Sequence, residues 1–156
     1  MDVLNAKAKK FWLAYCKEAD IDPHGNHFVT ANPAGNFDIT DNLIELYRKG
    51  KKRAGSSLVE DFKAEGDPLP KVNDYWILLN SKKEPTFLLK TVKIETNKFA
   101  NIPQHVVDAE GEGDLSIIFW KQEHTRLYTP YLERWGIKDL NQANVITEYF
   151  EIVYPK

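Results

Sequence analysis

The chain has 156 residues, a formal net charge of -2, and a composition that is 42% hydrophobic and 28% charged. That fits one domain, spanning residues 1–156, around one core, and it excludes an intrinsically disordered chain. The slight acidity excludes bulk attraction to a polyanion, and the lone cysteine, Cys16, excludes both an internal disulfide and a cysteine zinc cluster.

The N-terminal stretch carries charges throughout its apolar positions, unlike a signal peptide. Nothing in the chain approaches the run of about 18 apolar residues that crosses a membrane, so a cytoplasmic protein is expected. Leu4, Ala8, Phe11, Trp12, Tyr15 and Ala19 recur at helical spacing and predict an amphipathic helix over about residues 2–19. Ile21 to Asp38 is rich in Pro, Gly, Asn and Asp and reads as an irregular connection. Its His24 and His27 have no third ligand nearby and read as loop histidines rather than a metal site. Thr40 fits the N-cap of a second helix, with Ile39 and Ile44 as its staple, Leu43, Leu46 and Tyr47 on the core side, and Gly50 just past its end.

Ala54 to Val59 is strand-like, followed by a short turn or helix and a proline-rich stretch. Tyr75 to Leu79 and Thr86 to Ile94 predict strands flanking a hairpin connection, and Val145 to Tyr154 a closing strand. Between them, Pro103 to Ala109 predicts a short helix, and a longer helix is expected from Asp114 to about Arg134. Strands with interspersed helices in no βαβ rhythm indicate an α+β domain on a small mixed barrel.

Three features could carry chemistry. Arg48 to Leu58 opens with five cations in six residues. Such a cluster complements a helix C-terminus, or else Lys51, Lys52 and Arg53 form an anion site, with Gly55, Ser56 and Ser57 admitting a ligand to backbone and hydroxyls. Ala109 to Ser116 places Glu110, Glu112 and Asp114 between glycines. Asp114 is expected to cap the following helix. Glu112 has no such duty, and is either a solvated turn residue or the partner of Lys52 in a cleft. On the long helix, Leu115, Ile118 and Phe119 form one apolar stripe, and Trp120, His124, Leu127, Tyr128 and Tyr131 fall on another side. One face either packs against the first helix or presents aromatic residues such as His124 and Tyr128 to a stacked base.

The run from Gly50 to Leu58 resembles the G-x-K-x-x-[ST] motif of ASCH domains, with Gly50 and Lys52 in register. The acidic run from Ala109 to Asp114 resembles the motif that follows it, and the N-terminal helix, the GDPLPKVND segment and the closing FEIVYP strand resemble the longer bacterial branch. The resemblance implies a PUA-like β-barrel flanked by helices, with a cleft for RNA or a nucleoside and no cofactor. One branch resembles amidohydrolases that remove acyl groups from the exocyclic nitrogen of cytidine with a Lys, a Thr and a Glu. Lys52 and Glu112 match the first and last, whereas Gly55 stands where the threonine belongs, so Ser56 or Ser57 would have to substitute. Another branch resembles ribonucleases acting on single-stranded RNA, which implies a Lys with nearby Tyr and Ser residues, and Tyr47 is a candidate for the tyrosine. A binding module without chemistry is the alternative to both, as is a protein-interaction domain.

Overall fold

The computed structural model describes residues 4–35 and 38–156, so the expected start of the first helix at residues 2–3 lies outside the described residues. The hydrogen-bonded strand order is β1-β3-β4-β5-β2, with β1 at Val29–Pro33, β2 at Ala54–Leu58, β3 at Tyr75–Leu79, β4 at Pro85–Lys98 and β5 at Asn144–Tyr154. The helices are α1 (Ala6–Ala19), α2 (Thr40–Arg48), α3 (Val59–Glu65), α4 (Gln104–Glu110) and α5 (Ile117–Tyr128). The fold is therefore α+β on a mixed sheet. No helix among the described residues is long and apolar enough to cross a membrane. The chain divides into two compact units, and the long strands β4 and β5 contribute residues to both.

The first unit comprises the chain up to Lys49, Val72–Val92 and Phe150–Lys156. Asn5 caps α1 by accepting the Ala8 N–H at 2.8 Å, and Asp20 ends it in the left-handed region. The periodic face of α1 (Ala8, Trp12, Tyr15 and Cys16) packs with Val29, Tyr75, Ile77 and Leu88. Leu78 joins a second cluster with Leu43, Ile44 and Tyr47 of α2 and with Leu89. Adjacent residues of β3 thus serve clusters on opposite faces, which is why its sequence is a continuous apolar run rather than an alternation.

Two expectations fail here. The stretch expected to be irregular contains β1, which pairs in parallel with β3 from Val29–Tyr75 to Pro33–Leu79. Its Asn and Pro disfavour a strand locally, but β3 supplies the ladder, and Pro33 stands at the end of a strand at the sheet's edge. Thr40 does not cap α2. It is the first helical residue, and its buried hydroxyl donates to the Ala34 carbonyl at 2.7 Å. His27 packs edge-on against Trp12 and Tyr75.

The second unit comprises Gly50–Lys71 and Lys93–Tyr149. β2 pairs antiparallel with β5, setting Ala54 opposite Tyr149, Ser56 opposite Thr147 and Leu58 opposite Val145. Val59, expected as strand, starts α3 instead, and the Glu60 carboxylate in its first turn accepts both the N–H and the Nδ2–H of Asn144. Leu58, Val106, Val107, Trp120 and Val145 form the core. The helix expected from Asp114 begins only at Ile117. Gly113 and Leu115 are both left-handed, Asp114 accepts the Ser116 N–H, and Ser116 is the cap, accepting the Phe119 N–H at 3.0 Å. It ends at Tyr128 because Pro130 cannot donate, and a 3-10 turn follows. The expected stripe on this helix is open to solvent, with Ile118 71% and Leu115 43% exposed, whereas Trp120 and Tyr128 are buried.

Glu95 ties β4 to its neighbours. It accepts hydrogen bonds from Tyr149 Oη at 2.7 Å, Asn97 Nδ2 at 3.0 Å and His105 Nε2 at 2.8 Å. Burial pushes its carboxyl up, but these donors together outweigh burial and hold it below the ordinary value. A depressed carboxyl stabilises the fold above its unfolded-state value, and that contribution is lost as pH falls through the folded value. Urea unfolding at successive pH values should therefore show wild type losing more stability than Glu95→Gln between neutral pH and the acid range. Parallel curves would remove this role.

Candidate functional site

The site is built where α4 ends against the segment leading into β2. Gly111, left-handed at φ +69, terminates α4. A Cβ there would lie 2.0 Å from the Lys51 carbonyl oxygen, so only glycine permits this approach. The Arg53 N–H donates to the Ala109 carbonyl at 2.7 Å and stitches the two segments together. Gly113, also left-handed at φ +63, is constrained by a side chain instead, since a Cβ would meet the Phe119 ring at 2.2 Å. The glycines of the acidic run thus serve close packing as well as turning.

Lys52 is only 6% exposed. Its Nζ donates to Glu112 Oε2 at 2.9 Å and to the Glu110 carbonyl at 3.3 Å, and it lies 3.7 Å from Glu110 Oε1. Of the two readings of Glu112, the structure therefore has the pair with Lys52. Glu110, which sequence reasoning did not single out, is the more deeply set carboxylate at 2% exposure. Its Oε2 accepts the Ser56 hydroxyl at 3.0 Å and the Trp120 Nε1–H, and its Oε1 lies 3.8 Å from His124 Nε2. The only signal that could have exposed it is its place as the last residue of α4, directly before the obligatory glycine. Glu112 keeps a third of its side chain accessible.

Ser56 has one proton to give. When it donates to Glu110, Thr147 must donate to Ser56 across the 2.8 Å Oγ–Oγ1 contact. Side chains alternate along β2, so Ser56 shares a face with Ala54 and Leu58, while Gly55 and Ser57 take the other. A hydroxyl at position 55 would point away from Glu110, and Ser56 is the residue that brings one to it.

His124 stacks on Trp120 with ring centroids 3.8 Å apart, and its Nδ1 lies 2.8 Å from the Trp120 carbonyl. Tyr128 is buried beside it with its hydroxyl 3.4 Å from the Ser56 carbonyl. Burial first, then the negative charges of Glu110, Asp61 and Glu112, push its phenol far above the ordinary range, so it stays neutral. Lys51 and Arg53 are exposed beside the site and reach it through their backbones. Tyr47 belongs to the first unit, buried between Trp76 and Phe150.

A small cleft of about 20 Å³, partly open to solvent, is lined by Val107, Glu110, Glu112, Phe119, Trp120, Glu123 and His124. Three carboxylates and no lysine or arginine line it, Lys52 meeting it through Glu110 and Glu112, and Glu123 is paired with Arg126 at 2.7 Å. Among the described residues no group of His, Cys, Asp and Glu is arranged to hold a metal ion.

The sequence model of the ASCH domain matches residues 32–154. No curated protein sequence matches the chain significantly. Among solved structures, the chain is similar to an ASCH domain from Lactobacillus crispatus, with a TM-score of 0.87, 18% identity and 99% of both chains covered. It is also similar to protein EF3133 from Enterococcus faecalis, with a TM-score of 0.82, 22% identity, and 96% of this chain and 89% of that one covered. At these identities the likeness is one of fold.

The two carboxylates should respond differently to removal. Glu110→Ala strands the buried Lys52, Ser56 and Trp120 donors and should cost roughly 3–5 kcal/mol. Glu112→Ala, at a more accessible position that leaves Glu110 beside Lys52, should cost about 1 kcal/mol. Chemical denaturation of both variants checks the contrast, and equal losses would contradict the assignment of Glu110 as the structural carboxylate.

Proposed function

The chain belongs to the ASCH domain family, and on that premise we propose that its cleft binds a nucleoside or an unpaired RNA base and hydrolyses an acyl group on the base's exocyclic nitrogen. The observation that carries this reading is the 2.9 Å contact between the Lys52 ammonium and the Glu112 carboxylate at a partly open cleft. A phosphodiester would bring negative charge against Glu110 and Glu112, with Lys52 alone to offset it. A neutral acyl amide brings none until its carbonyl is attacked. The carboxylates can accept hydrogen bonds from the donor edge of a base, and the rings of Phe119 and Trp120 supply apolar wall.

The roles follow from accessibility. Glu112 has lone pairs left after meeting Lys52 and acts as general base toward water. Lys52, held by Glu112 and the Glu110 carbonyl, is a fixed positive charge that stabilises the oxyanion. Glu110 is committed to Ser56 and Trp120 and positions the others. The Ser56 hydroxyl is engaged by Glu110 and Thr147, which favours water over serine as the nucleophile. Lys51 and Arg53, exposed at the margin, suit the phosphates of a longer RNA.

The test is turnover of N4-acetylcytidine by purified protein, with a single-stranded RNA as the competing substrate. Wild type should release acetate and leave the RNA uncut. Lys52→Ala and Glu112→Gln should each lower kcat by about a hundredfold or more. If wild type turns N4-acetylcytidine over no faster than Lys52→Ala, the hydrolase reading fails. RNA cleavage that depends on Lys52 would replace it with phosphodiester chemistry.

A further inference from the structure

We propose that His124 is the proton donor of this site, delivering its Nε2 proton to the nitrogen that leaves as the acyl bond breaks. The inference rests on the acyl-amide reading above and adds a residue to it. The geometry fixes the tautomer. Nδ1 lies 2.8 Å from the Trp120 carbonyl oxygen, which can only accept, so Nδ1 carries a hydrogen. Exchange with a substrate is left to Nε2, bare in the neutral ring and an N–H in the imidazolium.

The ring is also fixed in orientation. Trp120 stacks on one face at 3.8 Å, and Tyr128 meets it at 5.6 Å and 60°. The side chain is 12% exposed, and Nε2 lies 3.8 Å from Glu110 Oε1, beyond hydrogen-bond reach. Every buried side-chain polar atom among the described residues has a partner, so Nε2, lacking one, keeps some solvent access, and His124 is one of the residues lining the cleft. The charged groups around the cleft are Glu110 at the end of α4, Glu112 on the turn after it, Lys52 leading into β2, and Glu123 beside His124 on α5. Glu110 Oε1 stands between the Lys52 ammonium at 3.7 Å and the imidazole at 3.8 Å, and so faces both cations when the ring is charged.

The step balances with one water. The water oxygen bonds to the acyl carbon while its proton passes to Glu112, and the carbonyl oxygen becomes an oxyanion beside Lys52. Collapse restores the C=O and breaks the C–N bond. The electron pair goes to nitrogen, which takes the Nε2 proton. The proton on Glu112 then returns through solvent to the imidazole, leaving a carboxylic acid and the free amine.

The test compares two substrates whose leaving groups differ in their need for a proton, N4-acetylcytidine and 4-nitrophenyl acetate. His124→Gln and His124→Asn should lower kcat on the amide by about a hundredfold, with KM within about threefold, and leave the activated ester within about threefold. Glu112→Gln should slow both substrates. Asn places an amide N–H near the position of Nδ1–H, so His124→Asn can keep the bond to the Trp120 carbonyl while lacking Nε2. Equal loss on both substrates would make His124 structural and overturn the proposal, as would an amide kcat within about twofold of wild type in either variant. An inert wild type would overturn the underlying hydrolase reading and this proposal together. An active wild type with a dead Lys52→Ala and a normal His124→Gln would overturn only this one.

Discussion

The site depends on how closely two backbones pass. A Cβ on Gly111 would sit 2.0 Å from the Lys51 carbonyl, and the Arg53 N–H reaches the Ala109 carbonyl at 2.7 Å. That contact sets where Lys52 lies, because the residue after a pinned carbonyl has little freedom to swing. It also sets what Lys52 meets. Glu110 is the last helical residue before the pinned glycine and Glu112 the first after it, so both carboxylates converge on one ammonium.

The two carboxylates then divide by burial rather than by type. Glu110 is enclosed, and its oxygens face Ser56, Trp120, Lys52 and His124. A carboxylate committed to that many neighbours is held in place and has few lone pairs left to offer a ligand. A buried pair of this kind seldom adds much net stability, since desolvation offsets most of the Coulomb gain. Removing one member is what costs, because it strands the rest. Glu112 has one firm partner and access to solvent, and this leaves it able to act on a bound molecule.

Much of the fold was legible in the sequence. The α1 face, the hairpin of β3 and β4, and the closing strand follow from period and turn residues, because side chains there pack as their local pattern directs. β1 was not legible, since its residues favour turns and only pairing with β3 makes them a strand. The start of α5 was misplaced for a local reason: Asp114 and Ser116 both suit a cap, and the left-handed Leu115 between them excludes the earlier start. Period alone left open which face of α5 packs, and the structure buries Trp120 and Tyr128 while Leu115 and Ile118 stay exposed. Within the site, Lys52 and Glu112 were legible from the motif, but Glu110 and the parity that selects Ser56 over Gly55 and Ser57 were not.

The sequence by itself determined the residues that must be special: a lysine among cations, acids spaced by glycines, and the family to which these motifs belong. Glycine spacing and charge are local properties, and they survive translation into sequence. Only the tertiary structure decided that Lys52 is buried and that Glu110 rather than Glu112 is the enclosed carboxylate. It likewise decided that the hydroxyl comes from Ser56 and that the His124 ring is locked against Trp120. The Lys52–Glu112 and Ser56–Glu110 contacts join residues more than fifty positions apart through strand register, in which no residue's own preferences announce its partner. The Trp120–His124 stack, though only four positions apart, depends on which face of α5 is buried.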